Sequence, residues 1–194
     1  MLIAAPTRPL GEVDTHAFAE HLLTLPERDW YDDIRRQESY EVHAETQSIL
    51  LAFCSGWPQV QVARTPQWER FSKFVTPLID GITQQYYSPG GQVLRAMLTR
   101  LPAGCRIAKH RDAHQSFAVA HRIHVPLVTN PDVEFIVGPQ RVPPRAHYAF
   151  ELNNSMLHQV ANNGDSQRIH FIFDYVPPPP VRSESPRTHA GRPL

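Results

Sequence analysis

Cysteine is scarce in this chain, and neither sign of charge prevails. Only two thiols, Cys54 and Cys105, occur in 194 residues, and they lie far apart. That spacing excludes a disulfide scaffold and any cysteine-rich zinc site, and it makes a reducing cytoplasm the expected setting. Nineteen basic residues offset nineteen acidic ones without forming a basic block, so phosphate-driven binding to a nucleic acid is not expected. No apolar run reaches the roughly 18 residues of a membrane helix. The N-terminal MLIAAPTRPLGEVD lacks a charged stretch followed by a long apolar one, so no signal peptide is read there.

What the chain has in excess is histidine, with eleven residues, beside nineteen prolines. The hydrophobic fraction of 41% suits one core of ordinary size rather than two. Residues 1–176 are therefore read as one domain. Residues 177–194 open with four prolines and continue in Ser, Arg and Gly, a composition expected to form a disordered tail.

Within the domain the patterning changes near Gly91. Before it, Asp14 is a candidate cap for a helix over His16–Leu25, ended by Pro26. A segment from Val42 to Phe53 has strand character. Thr65 and Pro66 open an amphipathic helix in which Trp68, Phe71, Phe74, Val75, Leu78, Ile79 and Ile82 keep helical spacing up to Ser88. After it, short apolar runs alternate with turn residues: Val93–Leu101, Cys105–His110, Arg122–Val128, Val133–Val137, Ala146–Leu152 and Arg168–Val176. This rhythm predicts a compact antiparallel sandwich or barrel.

The chemistry centres on LPAGCRIAKHRDAH. His110 and Asp112 are two residues apart, so on a strand they share a face. NNSMLHQVAN adds His158, placed between two predicted strands. Two imidazoles and one carboxylate on one side of a metal leave the remaining positions open, the pattern of non-haem Fe(II) oxygenases. His114 also lies two residues from Asp112 and is the alternative partner; His-then-Asp order favours His110. Ten residues after His158, Arg168 begins the apolar strand RIHFIF. A guanidinium there needs an anion, and the distal carboxylate of 2-oxoglutarate suits it. An internal salt bridge is the other reading.

The stretch FELNNSMLHQVANNGDSQRIHFIFDY resembles the C-terminal core of the aspartyl/asparaginyl β-hydroxylase family, and the resemblance extends over about Leu94–Val176. It implies a mainly β, double-stranded β-helix (jelly-roll, cupin-like) fold flanked by N-terminal α-helices, together with Fe(II), 2-oxoglutarate and O2, with ascorbate as a helpful reductant. It also implies that Thr99, eleven residues before His110, helps Arg168 hold the distal carboxylate. Arg122 and His124 in HRIHVPL match an Arg-x-His pair, with contact to the keto-acid end as the implied role; a core histidine is the plainer reading of His124. Related halogenases carry Gly or Ala at the carboxylate position, so Asp112 argues for hydroxyl transfer.

The implied substrate is a small molecule or peptide: an amino acid, its derivative or a peptide side chain, with Asp/Asn-type β-hydroxylation favoured. His43, Glu45 and Gln47 are candidates to line its opening, and Arg106, Arg111, Arg141 and Arg145 to receive its carboxylate. His121 is expected in a supporting or surface role. Three rival readings stand beside the dioxygenase. They are a non-catalytic jelly-roll metal-binding or sensor module, a cupin-type enzyme that needs no keto acid, and an interaction protein recruiting through its proline tail.

Overall fold

The computed structural model describes residues 3–31 and 44–179. Its elements run β1 (Thr7–Glu12), α1 (His16–Leu23), β2 (Gln47–Ser55), β3 (Gln61–Arg64), α2 (Pro66–Tyr86), β4 (Gln92–Leu101), β5 (Arg106–His110), β6 (His121–Val128), β7 (Val133–Val137), β8 (Gln140–Arg141), β9 (Tyr148–Leu152), β10 (His158–Asn162) and β11 (Arg168–Val176). Short 3-10 turns cover Glu27–Tyr31 and Gln115–Ala118. Seven strands form one sheet in the order β1-β9-β6-β11-β4-β2-β3, and four form a second in the order β5-β10-β7-β8. Every pairing is antiparallel. This is the antiparallel sandwich that the alternating runs after Gly91 predict, and the mainly β jelly roll that the family resemblance implies.

The central strand β11 shows how sequence divides the interior. Its odd-numbered residues Ile169, Phe171, Phe173 and Tyr175 join Phe18, Leu22, Phe71, Val75 and Ile79 of the two helices in one buried cluster. Its even-numbered residues Arg168, His170, Ile172 and Asp174 take the opposite face by the period of two. Apolar residues of both sheets, including Leu101, Ile107, Phe135, Val137, Phe150, Leu152 and Val160, form a second cluster. One face of the large sheet therefore builds the core, and the other carries polar groups into the space between the sheets.

Phe171 is fully buried, with its ring centroid 5.5 Å from Phe173 and 6.5 Å from Phe18. Truncating it removes a ring packed among other buried side chains and leaves a cavity that its neighbours fill only in part. Phe171→Ala is expected to lower unfolding stability by about 3–5 kcal/mol, read from urea denaturation.

Several local expectations need correction. Thr15, not Asp14, is the N-cap of α1; its hydroxyl lies 2.6 Å from His147 Nδ1, and Asp14 Oδ1 accepts only from the His16 N–H at 3.4 Å. The helix closes at Leu23, with Thr24 and Leu25 turning back onto His21 and Leu22. The second helix begins at Pro66 as expected, the missing N–H of proline being harmless in a first turn. The early strand starts at Gln47, and Glu45 sits in a turn before it. His43 and residues 180–194 of the tail fall outside the described residues. Strands β1, β3, β8 and β10 were not anticipated. β1 contains Pro9 and Gly11, which weaken any strand signal, yet it pairs with β9 through a bulge at that point.

Candidate active site

His110 is aimed by an irregularity of β5. Across β10, His158 faces His110 and Val160 faces Ile107, so two residues of β5 oppose one of β10. That bulge allows Ile107 and His110, three positions apart, to line the same interior pocket. His158 is the first residue of β10 rather than part of a connection, and the two imidazole centroids lie 4.3 Å apart.

Each ring is oriented the same way. His110 Nδ1 donates to the Ala108 carbonyl at 2.8 Å, and His158 Nδ1 to the Met156 carbonyl at 3.0 Å. Both Nε2 lone pairs are thereby left for a metal, the tautomer that ligating histidines need. Burial pushes the His158 pKa down, against the pull of Asp112, which favours the neutral, ligating form.

The ligand atoms of His110, Asp112 and His158 all lie within 4.8 Å of one another. Asp112 reaches them from beyond the end of β5, so the shared-strand-face argument does not hold for it. Its Oδ2 accepts from Arg122 Nη1 at 2.6 Å. His114 is engaged elsewhere: its Nδ1 accepts from the Ser116 N–H at 3.1 Å and caps the following 3-10 turn. The donor set therefore fits a divalent ion such as Fe(II): two neutral imidazoles, one carboxylate, and none of the thiolates that select zinc.

The same pocket is lined by Thr46, Thr99, Arg122, His124, Arg168 and Ile172. Arg168 is 1% exposed, and its Nη2 donates to His170 Nδ1 at 2.7 Å. The Thr99 hydroxyl donates to the His170 carbonyl at 3.5 Å. Thr46 Oγ1 is buried with no hydrogen-bond partner among the described residues. A buried cation beside an unsatisfied hydroxyl fits an anionic chelator such as 2-oxoglutarate. His124 stacks on Phe150 at 5.2 Å, with its Nδ1 3.3 Å from His170 Nδ1. Arg122 directs Nη1 to Asp112 and its Nε and Nη2 to Asp174, at 2.8 and 3.0 Å.

Other candidates are not among the residues that line this pocket. His121 is on the helix-facing side, its Nδ1 2.6 Å from Glu151 Oε1, in a buried group completed by Tyr87 and Arg8. Glu45 Oε2 accepts from the Arg106 N–H at 2.6 Å, and Gln47 is buried with its amide held by Arg100 and Tyr31. Glu45 is exposed beside the pocket-lining Thr46, whereas the buried Gln47 does not suit an open rim. A larger groove of about 600 Å³ lies between α2 and strands β2–β4, lined by Arg64, Trp68 and Asp80 among others. The one metal-binding cluster among the described residues is not in it.

His170 escaped notice in the sequence, although strand alternation from Arg168 puts both on one face. Fully buried, its pKa is driven well below 6.5, first by desolvation and then by the Arg168 charge. The unfolded chain binds this proton near 6.5 and the folded chain does not. Stability is therefore complete above that pH and falls below it by about 1.4 kcal/mol per pH unit until the folded value is reached. His170→Leu is expected to flatten the decline of the urea midpoint between neutral and mildly acidic pH.

The sequence profile of the aspartyl/asparaginyl beta-hydroxylase family matches residues 30–178. The chain belongs to this family. No curated protein is significantly similar to it in sequence. Among solved structures it is similar to a 2OG-Fe(II) oxygenase family oxidoreductase from Burkholderia pseudomallei, at 14% identity and TM-score 0.53, over 91% of this chain and 94% of that one. The apo form of the non-heme monooxygenase ThoJ gives 18% identity and TM-score 0.54, over 89% and 74% of the two chains. The viral collagen prolyl hydroxylase of Paramecium Bursaria Chlorella virus-1, in its 2OG complex, gives 8% and 0.51, over 91% and 98%. At these identities the likeness speaks for the fold.

Family membership makes the chain a 2-oxoglutarate-dependent hydroxylase that works with Fe(II), 2-oxoglutarate and O2. The non-catalytic and keto-acid-independent readings fall away with it. Fe(II), when bound, supplies the activation of O2 that couples decarboxylation of the keto acid to hydroxylation of a C–H bond. The chain offers His110, Asp112 and His158 as a candidate ligand set and the buried Arg168 in the same pocket.

Proposed function

We propose that this enzyme hydroxylates the side chain of an amino acid, an amino acid derivative or a peptide, with aspartyl/asparaginyl-type β-hydroxylation favoured. His110, Asp112 and His158 hold the iron. Arg168, assisted by Thr99, binds the distal carboxylate of 2-oxoglutarate, and His124 forms the wall beside it. The observation that carries this reading is the joint lining of one pocket by the two histidine ligands and the buried Arg168. The family match over residues 30–178 supports the choice of substrate class.

An exposed positive charge next to Asp112 in the chain favours an anionic substrate. Arg111, between His110 and Asp112 in the chain, is exposed, as are Arg106, Arg141 and Arg145. Arg145 lies over the Tyr148 ring at 4.9 Å and Arg106 begins β5 at the end away from His110, which leaves Arg111 better placed to steer a carboxylate. Two free cysteines support a cytoplasmic setting. Among the described residues no helix is long and apolar enough to cross a membrane.

The test is a screen of free Asp, Asn and Pro and of peptide pools, each with Fe(II), 2-oxoglutarate and O2. The expected result is a product heavier by one oxygen atom, formed together with extra succinate. An Asp- or Asn-containing substrate should respond most strongly. Hydroxylation of an apolar substrate alone, with acidic ones ignored, would overturn the choice of class.

A further inference from the structure

The carboxylate ligand is not fixed by its own backbone. Asp112 follows the last residue of β5 and precedes the turn Gln115–Ala118. Its position depends on what holds its side chain, and that hold comes from a row of buried charges. Asp174 of β11 lies directly opposite Arg95 of β4 on one side and Arg122 of β6 on the other. It is fully buried. It receives Nε and Nη2 of Arg122 as a fork and lies 3.5 Å from Arg95 Nη1. Arg122 then extends Nη1 to Asp112, while Arg95 donates to Ser116 Oγ at 2.8 Å. Both ends of the segment carrying Asp112 are thus tied to the same three strands. Phe117 covers both guanidinium groups, at 4.4 and 4.8 Å.

We propose that Asp174, with Arg95, acts through Arg122 to position the metal ligand Asp112, so that Arg122 serves the metal site rather than the keto acid. All three nitrogens of Arg122 donate to carboxylates, and the fork on Asp174 fixes the plane from which Nη1 reaches out. With Oδ2 of Asp112 taken by Arg122, one oxygen remains for the metal, which keeps the carboxylate from chelating and leaves positions for the cosubstrate. Without the charge of Asp174, Arg122 loses its fork and turns on Asp112 as a competitor for both oxygens. Asp174 and Arg95 are positioning residues in this scheme. It rests on the reading of His110, Asp112 and His158 as the metal site.

The test uses Mn(II) in place of Fe(II) and needs no turnover. Free Mn(II) is followed by its electron paramagnetic resonance signal, and 2-oxoglutarate binding is measured by calorimetry at saturating Mn(II). Asp174→Asn and Arg122→Gln are each expected to raise the Mn(II) Kd by about 10- to 100-fold, while 2-oxoglutarate affinity is unchanged. The double variant is expected to lose no more than Arg122→Gln alone, since both act along one path. Arg122→Lys, which keeps a cation beside Asp112 and loses the fork, should fall between. Should Asp174→Asn fail to fold, Ser116→Ala carries the test by cutting the Arg95 link, with a smaller rise in Mn(II) Kd; no rise overturns the proposal. It is equally overturned if the losses add, or if 2-oxoglutarate affinity falls while Mn(II) affinity holds. A wild-type protein that binds no Mn(II) would refute the metal site itself, a result distinguishable from either.

Discussion

An Arg168→Ala variant is expected to bind 2-oxoglutarate about 30-fold to several thousand-fold more weakly than the wild type, the effect of truncating one partner of a buried charge pair. Arg168 is almost fully buried, and its Nη2 meets the nitrogen of an imidazole that burial keeps neutral. The His170 acceptor orients the guanidinium in the pocket that Arg168 lines, where its planar fork suits a carboxylate of the incoming dicarboxylate. Metal affinity is a clean control, because His110, Asp112 and His158 come from other segments of the chain. Calorimetry with Mn(II) present should show the loss of 2-oxoglutarate binding at unchanged Mn(II) Kd. Arg168→Lys, which keeps the charge and loses the planar fork, should recover part of the affinity.

Asp112→Ala carries the other large effect. It removes the anionic donor and leaves two imidazoles, so Mn(II) affinity is expected to fall by more than about 100-fold, beyond what loss of a supporting partner gives. Succinate formation should vanish with it. His114→Ala provides the contrast. His114 is the alternative neighbour of Asp112 in sequence, but its Nδ1 is spent on the Ser116 N–H. Its removal should leave Mn(II) affinity intact and cost only the stability of a capped turn. A paramagnetic resonance titration of the two variants side by side decides which histidine belongs to the site.

What could be read from residues alone follows from how local the cause is. β11 announced itself because its apolar run, its leading arginine and its period of two agree. The same period put His170 beside Arg168, so this residue was within reach. β10 was hidden: HQVAN is too short and mixed to be distinguished from a connection, and it becomes a strand only between β5 and β7. The bulge that aims His110 is a property of pairing between distant segments, invisible before the register is known. Asp112 illustrates the limit most sharply. Its residue type and spacing suggested a ligand, but the reason given, a shared strand face, fails because β5 has already ended. The Arg122–Asp174 fork that holds it joins residues 52 positions apart. Arg122 was noticed for a match to a family pair, and its three carboxylate contacts become visible only in three dimensions.

The most direct measurement is succinate formation from 2-oxoglutarate by the purified protein with Fe(II), ascorbate and O2, run beside Arg168→Ala and Asp112→Ala. Slow uncoupled turnover needs no substrate, and it should appear in the wild type and be absent from both variants. Turnover that survives in either variant would contradict the assignment of the pocket between His110, Asp112, His158 and Arg168 as the place where the cosubstrate is oxidised.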